Sequence, residues 1–204
     1  MKQIDILKDY IIEYQEKLNR LIDSIDIDIL YEIIETMIEA FKNDKTLYIC
    51  GNGGSAATAS HMQVDFGFFV RYFVQRRPKV RSLTNNTPFL TAIGNDNGYD
   101  EVFVEQMMDN FSKGDVLLAI SASGNSMNVV KAAEYANEVG GTSIGFVGFQ
   151  GGKLKEAVKL CLFTPNPKGE YGPIEDLHLI LDHLIVSYFA KHKDFLDFGN
   201  SKDL

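Results

Sequence analysis

Two short stretches hold residues whose types and spacing suit chemistry on a phosphorylated ligand. The first runs from Leu47 to Asp65, LYICGNGGSAATASHMQVD. An apolar run ends in Gly51-Asn52-Gly53-Gly54, and a helix-like segment follows with Ser55 at its mouth and His61 and Asp65 further in. Glycines let backbone approach a ligand closely, and the first turn of a helix offers unpaired N–H groups to an anion. His61 and Asp65 stand four apart and would share a helix face. That spacing serves acid–base work or a metal ion. The second stretch is Ser121-Ala122-Ser123-Gly124-Asn125-Ser126, again ahead of a helical segment. A helix cap needs one serine or asparagine, so the surplus hydroxyls point to phosphate.

Taken alone, the glycine turn has a plainer alternative, a tight strand-to-helix turn with no ligand. It is not a P-loop, because no Lys-Ser/Thr pair follows, and its glycines lack the dinucleotide-binding spacing.

The elements that must position these residues can be read from periodicity. Residues 1–44 predict two amphipathic helices. Ile4, Leu7, Ile11, Tyr14, Leu18, Leu21 and Ile25 form one stripe, and Leu30, Ile33, Ile34, Met37, Ile38 and Phe41 the other, with a break at Ser24 to Asp28. These stripes could pack on their own domain or form a helical bundle between subunits, and their width favours the bundle. Strands are expected at Leu47–Cys50, Val80–Leu83, Val116–Ser121, Thr142–Val147 and Lys159–Phe163. Helices are expected at Ser55–Phe69, Pro88–Ile93, Glu101–Phe111, Ser126–Val139, Lys153–Ala157 and Pro173–Lys191. Alternating elements with apolar strands predict an α/β fold, a doubly wound parallel five-stranded sheet. Ligands of such sheets bind beyond the carboxyl ends of the strands, where Asn52 to Ser55, Thr84 to Thr87 and the serine loop fall.

Bulk composition narrows the function. The chain has 204 residues, 45% of them hydrophobic, which suits one α/β domain with a helical extension. A net charge of −8 argues against nucleic acid as a partner. No apolar run is long enough to span a bilayer, and the charged N-terminus does not suit a signal peptide. Cys50 and Cys161 lie in apolar runs and read as reduced, buried cysteines of a cytoplasmic protein. The basic cluster of Arg71, Arg76, Arg77, Lys79 and Arg81 is either a solvated connection or a phosphate or subunit contact.

GNGGSA with the following His61, Asn95-Asp96 within IGNDNGY, the loop SASGNS, and a final helix carrying His178 and His183 occur together in one family. Through them nearly the whole chain resembles the sugar isomerase (SIS) domain proteins, and among these the phosphoheptose isomerases. The resemblance implies one SIS domain over residues 1–204, a three-layer fold whose residues 1–44 form an oligomerisation extension, and a homotetramer. It implies interconversion of sedoheptulose 7-phosphate and a D-glycero-D-manno-heptose 7-phosphate through an enediol, in heptose or surface-glycan biosynthesis such as lipopolysaccharide or capsule. Asn52, Gly53, Gly54, Ser55, Asn95, Asp96, Ser121, Ala122, Ser123, Ser126 and Glu175 would contact substrate. Some family members hold zinc through a histidine and a glutamate on the first helix of the sheet domain and a glutamine and a histidine on the last. The matching residues here are His61, Asp65, Glu175 and His183.

Two of these positions depart from the family pattern. Asp65 replaces the glutamate that is the family's candidate base, and its side chain is shorter by about 1.5 Å. Glu175 replaces a glutamine and would bind a divalent metal more strongly. An aldose–ketose isomerase needs one group for the carbon proton and another for the oxygens, and Asp65 and His183 are the residues expected to serve. Glu175 and His183 are eight apart, about 12 Å along a helix, so Glu175 and His178 would pair more easily. His178 otherwise reads as a core or interface histidine. The segment from Phe66 to Pro78 is longer than the family pattern, and Arg71 is the nearest candidate for its substrate-binding arginine. Two rivals remain at this point: a non-catalytic SIS protein of the kind that associates with the initiator DnaA, and an isomerase of another sugar phosphate.

Overall fold

The structure is a computed structural model that describes residues 3–70 and 77–192. Two helices lead, α1 (Gln3–Asp23) and α2 (Ile27–Lys42), with Asp26 capping α2 by accepting from the Asp28 and Ile29 amides. Then come β1 (Thr46–Gly51), α3 (Gly54–Val64) and a π-helical turn at Asp65–Phe69. After β2 (Lys79–Ser82) and α4 (Thr87–Asp96) the chain makes a 3₁₀ turn at Tyr99–Glu101 and a short α5 (Val104–Met107). The rest is β3 (Val116–Ser121), α6 (Met127–Glu138), β4 (Thr142–Val147), α7 (Gly152–Ala157), β5 (Leu160–Phe163) and α8 (Tyr171–Lys191).

The five strands form one parallel sheet in the order β2-β1-β3-β4-β5. Side chains alternate across it, because successive strand residues point to opposite faces. Leu47, Ile49, Leu118 and Phe146 pack with α2, α3 and α8 on one face. Tyr48, Cys50, Leu117 and Val147 pack with α4 to α7 on the other. The result is the three-layer arrangement expected of strands apolar on both sides. The order reverses at β1, which lies between β2 and β3. The carboxyl ends of β1 and β3 are therefore where a ligand crevice opens.

All five strands fall where periodicity put them, within a residue or so at each end. One helix does not. Glu101–Phe111 is broken into the 3₁₀ turn and a single α-helical turn. Its apolar residues Val102, Phe103, Met107 and Phe111 are all buried in the second core, and that burial, with the Gln106 amide donating to the Leu83 and Val102 carbonyls, outweighs continuous helix.

The two leading helices differ in what they bury. α2 sets Leu30, Ile33, Ile34, Met37, Ile38 and Phe41 into the first core. α1 buries only Leu21 and leaves Ile4, Leu7 and Ile11 exposed. It is tied to α8 through Tyr14, whose hydroxyl donates to Asp176, and through Lys17, which pairs with Glu170. Among the described residues no helix is long and apolar enough to cross a membrane. Arg71 and Arg76 of the basic cluster lie outside the described residues. Lys79 pairs with Asp44, and Arg81 reaches Asn110, as expected of a surface connection.

Candidate functional site

The glycine turn has a steric logic at each position. A Cβ on Gly51 would come within 2.7 Å of Ser55 Cβ, and one on Gly54 within 2.2 Å of Glu175 Oε2. Gly53 sits at φ +54, a conformation that favours glycine. Gly53 is also the N-cap of α3 and supplies no side-chain acceptor, so the Glu175 carboxylate from α8 lies against the open first turn of α3. Burial, and then the charge of Asp176, raise its carboxyl above the ordinary carboxylate range.

Asn52 has a more structural part than expected. Its side chain forms a reciprocal amide pair with Asn128 of α6, both bonds 2.9 Å, and its oxygen also accepts from the Tyr99 hydroxyl at 2.9 Å. These bonds lash the end of β1 to the start of α6. Neither Tyr99 nor Asn128 was singled out from the sequence, and no local pattern marks them.

The serine loop lies next door at the end of β3. Ser121 and Ala122 are buried, and Ser121 Oγ accepts from the Gly124 amide at 3.0 Å. Ser123 Oγ accepts from the Asn125 amide at 3.3 Å. Ser126 occupies the N-cap of α6, yet its side chain makes no capping hydrogen bond. The plain capping explanation therefore does not account for its hydroxyl. Gly124 stands at φ +65, and a Cβ there would meet the Gly151 carbonyl oxygen at 1.9 Å. Its carbonyl accepts from the Leu154 amide at 2.9 Å, so the loop is braced by the turn before α7.

Asn95 and Asp96 end α4, exposed and hydrogen-bonded to each other at 2.6 Å. The described contacts do not tie them to the histidines.

The titratable residues converge where α3 packs against α8. His61 Nε2 and His183 Nε2 are 3.1 Å apart, with their rings edge to face. Asp65 Oδ2 lies 3.5 Å from His61 Nε2 and 3.9 Å from His183 Nε2. Asp65 therefore reaches the site despite its shorter side chain. It opens the π turn, where the Val70 amide bonds back to the Asp65 carbonyl. Such an inserted residue re-aims side chains on a helix and often marks a functional site.

A fourth residue joins them that the sequence reading did not single out. One oxygen of Asp182 lies with a ring nitrogen of His61, an oxygen of Asp65 and a ring nitrogen of His183 in a group whose ligand atoms are all within 4.8 Å of one another. Asp182 is fully buried, and among the described residues neither of its oxygens has a hydrogen-bond partner. Burial, and then the charge of Asp65, push its carboxyl up to about 8. An aspartate in an otherwise apolar helix register was the one available signal.

Glu175 is not part of this group. Two turns of regular helix separate it from His183, and it faces the mouth of α3 instead. His178 does not pair with it. His178 is 1% exposed and packs near Phe146, and burial lowers its imidazole to about 3. It is a neutral core histidine.

The group suits a divalent metal. Two imidazoles and a carboxylate about 2.0–2.2 Å from a tetrahedral ion would stand about 3.3 Å from one another. The observed separations of 3.1, 3.5 and 3.9 Å bracket that value. Two ring nitrogens this close must share a proton or a cation.

A family model described as SIS domain matches residues 9–148. The phosphoheptose isomerase of Aliarcobacter butzleri is 38% identical over 182 residues, covering 88% of this chain and 93% of that protein. The phosphoheptose isomerase of Helicobacter pylori strain P12 is 34% identical over 189 residues, covering 92% and 96%. Among solved structures, phosphoheptose isomerase GmhA from Neisseria gonorrhoeae superposes with a TM-score of 0.83 at 30% identity, over 93% of this chain and 100% of that one.

Proposed function

Because this chain belongs to the SIS domain family and is an isomerase of the phosphoheptose type, we propose that it interconverts sedoheptulose 7-phosphate and a D-glycero-D-manno-heptose 7-phosphate through an enediol. The observation that carries the reading is the grouping of His61, Asp65 and His183 where α3, the helix that follows the glycine turn, meets α8, together with a serine loop after β3 whose Ser126 hydroxyl makes no capping bond.

The residues divide the work. Ser121, Ser123 and Ser126, with the backbone at Ala122, hold the phosphate where the first turn of α6 favours an anion. Gly53, Gly54 and Ser55 line the sugar's approach, Asn52 holds their turn in place, and Glu175 faces it. Asn95 and Asp96 belong to the substrate-binding set only if loop movement or a second subunit brings them in. From ketose to aldose, Asp65 removes a proton from C1 while the C2 carbonyl oxygen is protonated, and the enediol forms. Return of a proton to C2, with loss of the C1 hydroxyl proton, gives the aldehyde. His183 serves the oxygens, and Asp65 serves the carbons. His61, Asp65 and His183 would hold zinc or a similar divalent ion, and ligation would then compete with the acid–base duty of Asp65 and His183. Such an ion, when bound, supplies Lewis-acid polarisation of the carbonyl.

A cytoplasmic homotetramer is part of the proposal. It is supported by the exposed Ile4, Leu7 and Ile11 of α1, and the cytoplasmic setting by the free Cys50 and Cys161. Light scattering of the purified chain tests the assembly. Isomerisation of sedoheptulose 7-phosphate, run with zinc and with a chelator, tests the activity. Turnover that falls on chelation supports the isomerase with a working metal. Turnover indifferent to chelator leaves Asp65 and His183 as a plain acid–base pair. No turnover in either state removes this substrate and returns the weight to another phosphosugar or to a binding protein.

A further inference from the structure

Asp182 is a carboxylate that the protein itself leaves without a partner. It is fully buried, and among the described residues neither oxygen accepts a hydrogen bond. A buried carboxylate in that condition is strongly unfavourable unless a cation or a proton meets it. It is also not isolated. One of its oxygens lies within 4.8 Å of a ring nitrogen of His61, a carboxylate oxygen of Asp65 and a ring nitrogen of His183. It is adjacent to His183 on α8, so a single helix turn presents two donors to the same point. Glu175, the residue first expected beside His183, lies two turns away with its carboxylate against Gly54.

We propose that Asp182, and not Glu175, is the fourth ligand of the metal centre, which is thereby a two-histidine, two-carboxylate site for a divalent cation. Two carboxylates neutralise the ion's two charges, and the cation compensates for the burial of Asp182. Imidazole with carboxylate accommodates zinc and also harder first-row ions such as cobalt(II) and manganese(II). Glu175 remains free to act on the sugar at the mouth of α3. This inference rests on reading the cluster as a metal centre, and it is independent of which sugar phosphate is turned over.

The test is metal binding by the full-length chain, stripped with chelator and titrated with zinc. Wild type, Asp182→Asn, Asp182→Leu and Glu175→Ala are compared by calorimetry and by melting temperature. Wild type should bind one ion per chain. Both Asp182 variants should lose at least about tenfold in affinity, while Glu175→Ala, which removes any donor at that position, stays within about threefold of wild type. Metal-free Asp182→Leu should melt higher than metal-free wild type, because an unpartnered buried carboxylate is gone, yet gain less on adding zinc. Asp182 variants that bind zinc as wild type does, or a Glu175→Ala protein that loses as much as expected for Asp182, overturn the assignment. Should the Asp182 variants fail to fold, the visible cobalt(II) spectrum decides. A Glu175→Ala spectrum like that of wild type supports the proposal, and an altered one overturns it. A wild type that binds no zinc overturns the metal centre itself. Turnover of sedoheptulose 7-phosphate by the same preparations judges the isomerase reading separately.

Discussion

His61 and His183, 122 residues apart in the chain, bring their Nε2 atoms to 3.1 Å of each other. Two neutral imidazoles at that distance need one tautomer to donate and the other to accept, or a cation between them. α3 and α8 are packed so that this closeness is built into the apolar core beneath them, where Met62, Phe66, Leu181 and Ile185 are all buried. The two helices that carry the pair are therefore fixed by packing, as an acid–base or metal site requires of its supporting elements.

His183 has its side chain half exposed, so its removal should be felt in chemistry and not in folding. His183→Ala should lower turnover of sedoheptulose 7-phosphate by about 10²–10⁴-fold, with a melting temperature close to wild type. Wild-type-like turnover in steady-state assays would remove His183 from the mechanism.

Ser126 separates a cap from a phosphate ligand. If its hydroxyl capped α6, Ser126→Ala would cost about 1 kcal/mol of stability. It makes no such bond, so the variant should unfold at nearly the same denaturant concentration as wild type. Its KM for the sugar phosphate should instead rise about tenfold, the loss of one hydrogen bond to a charged group.

Gly54 offers a change that is favourable for helix and unfavourable for function. Alanine is better than glycine within a helix by about 1 kcal/mol. The Cβ, however, would stand 2.2 Å from Glu175 Oε2, the movable end of a side chain. Gly54→Ala should keep or gain stability while displacing Glu175, and turnover should fall about tenfold or more. A fully active variant would show that the position of Glu175 does not matter to the reaction.

The metal-free protein should have an unusual pH profile, because two buried groups oppose each other. Burial lowers His178 to about 3 from an unfolded value near 6.5. Burial, with the charge of Asp65, raises Asp182 to about 8 from 3.8. Between about pH 4 and 6.5 the unfolded chain holds the His178 proton and the native chain holds the Asp182 proton, so proton counts match and stability is flat. From about 6.5 to 8 only the native state still holds a proton, so stability falls as pH rises, by about 1.4 kcal/mol per unit. Asp182→Asn should leave the histidine alone, with stability rising with pH from about 3 to 6.5 and then level. His178→Met should leave the aspartate alone, with stability falling from about pH 4 to 8. Denaturant midpoints across pH in chelator check all three curves, and identical curves would refute both assignments.

Much of this protein is local in origin and was therefore legible in the sequence. Alternation of apolar runs with helical stripes located the five strands, because a strand buried on both faces must be apolar throughout. Gly53 and Gly54 marked a turn that only small residues can make. The surplus of serines after β3 exceeded what a cap requires, and Ser126, at the N-cap position of α6, makes no side-chain capping bond. His61 and Asp65 were paired by helix spacing alone, and they stand 3.5 Å apart.

What the sequence could not settle depends on which elements meet. Nothing within α8 distinguishes Asp182 from a surface aspartate until α3 lies against it and supplies His61 and Asp65. Asn52 also has a structural part that no local pattern shows, because Asn128 and Tyr99 arrive from distant segments to bond its amide. The expected helix at Glu101–Phe111 gave way because four of its apolar residues found better burial broken than continuous. The two N-terminal stripes look alike in sequence, yet α2 is covered by the sheet and α1 is not. Periodicity, capping and turn chemistry act over a few residues, so the chain by itself determined its elements and two halves of a site. Only tertiary packing, which sets distances between residues more than a hundred positions apart, decided that those halves close on one point and that Asp182 is there with them.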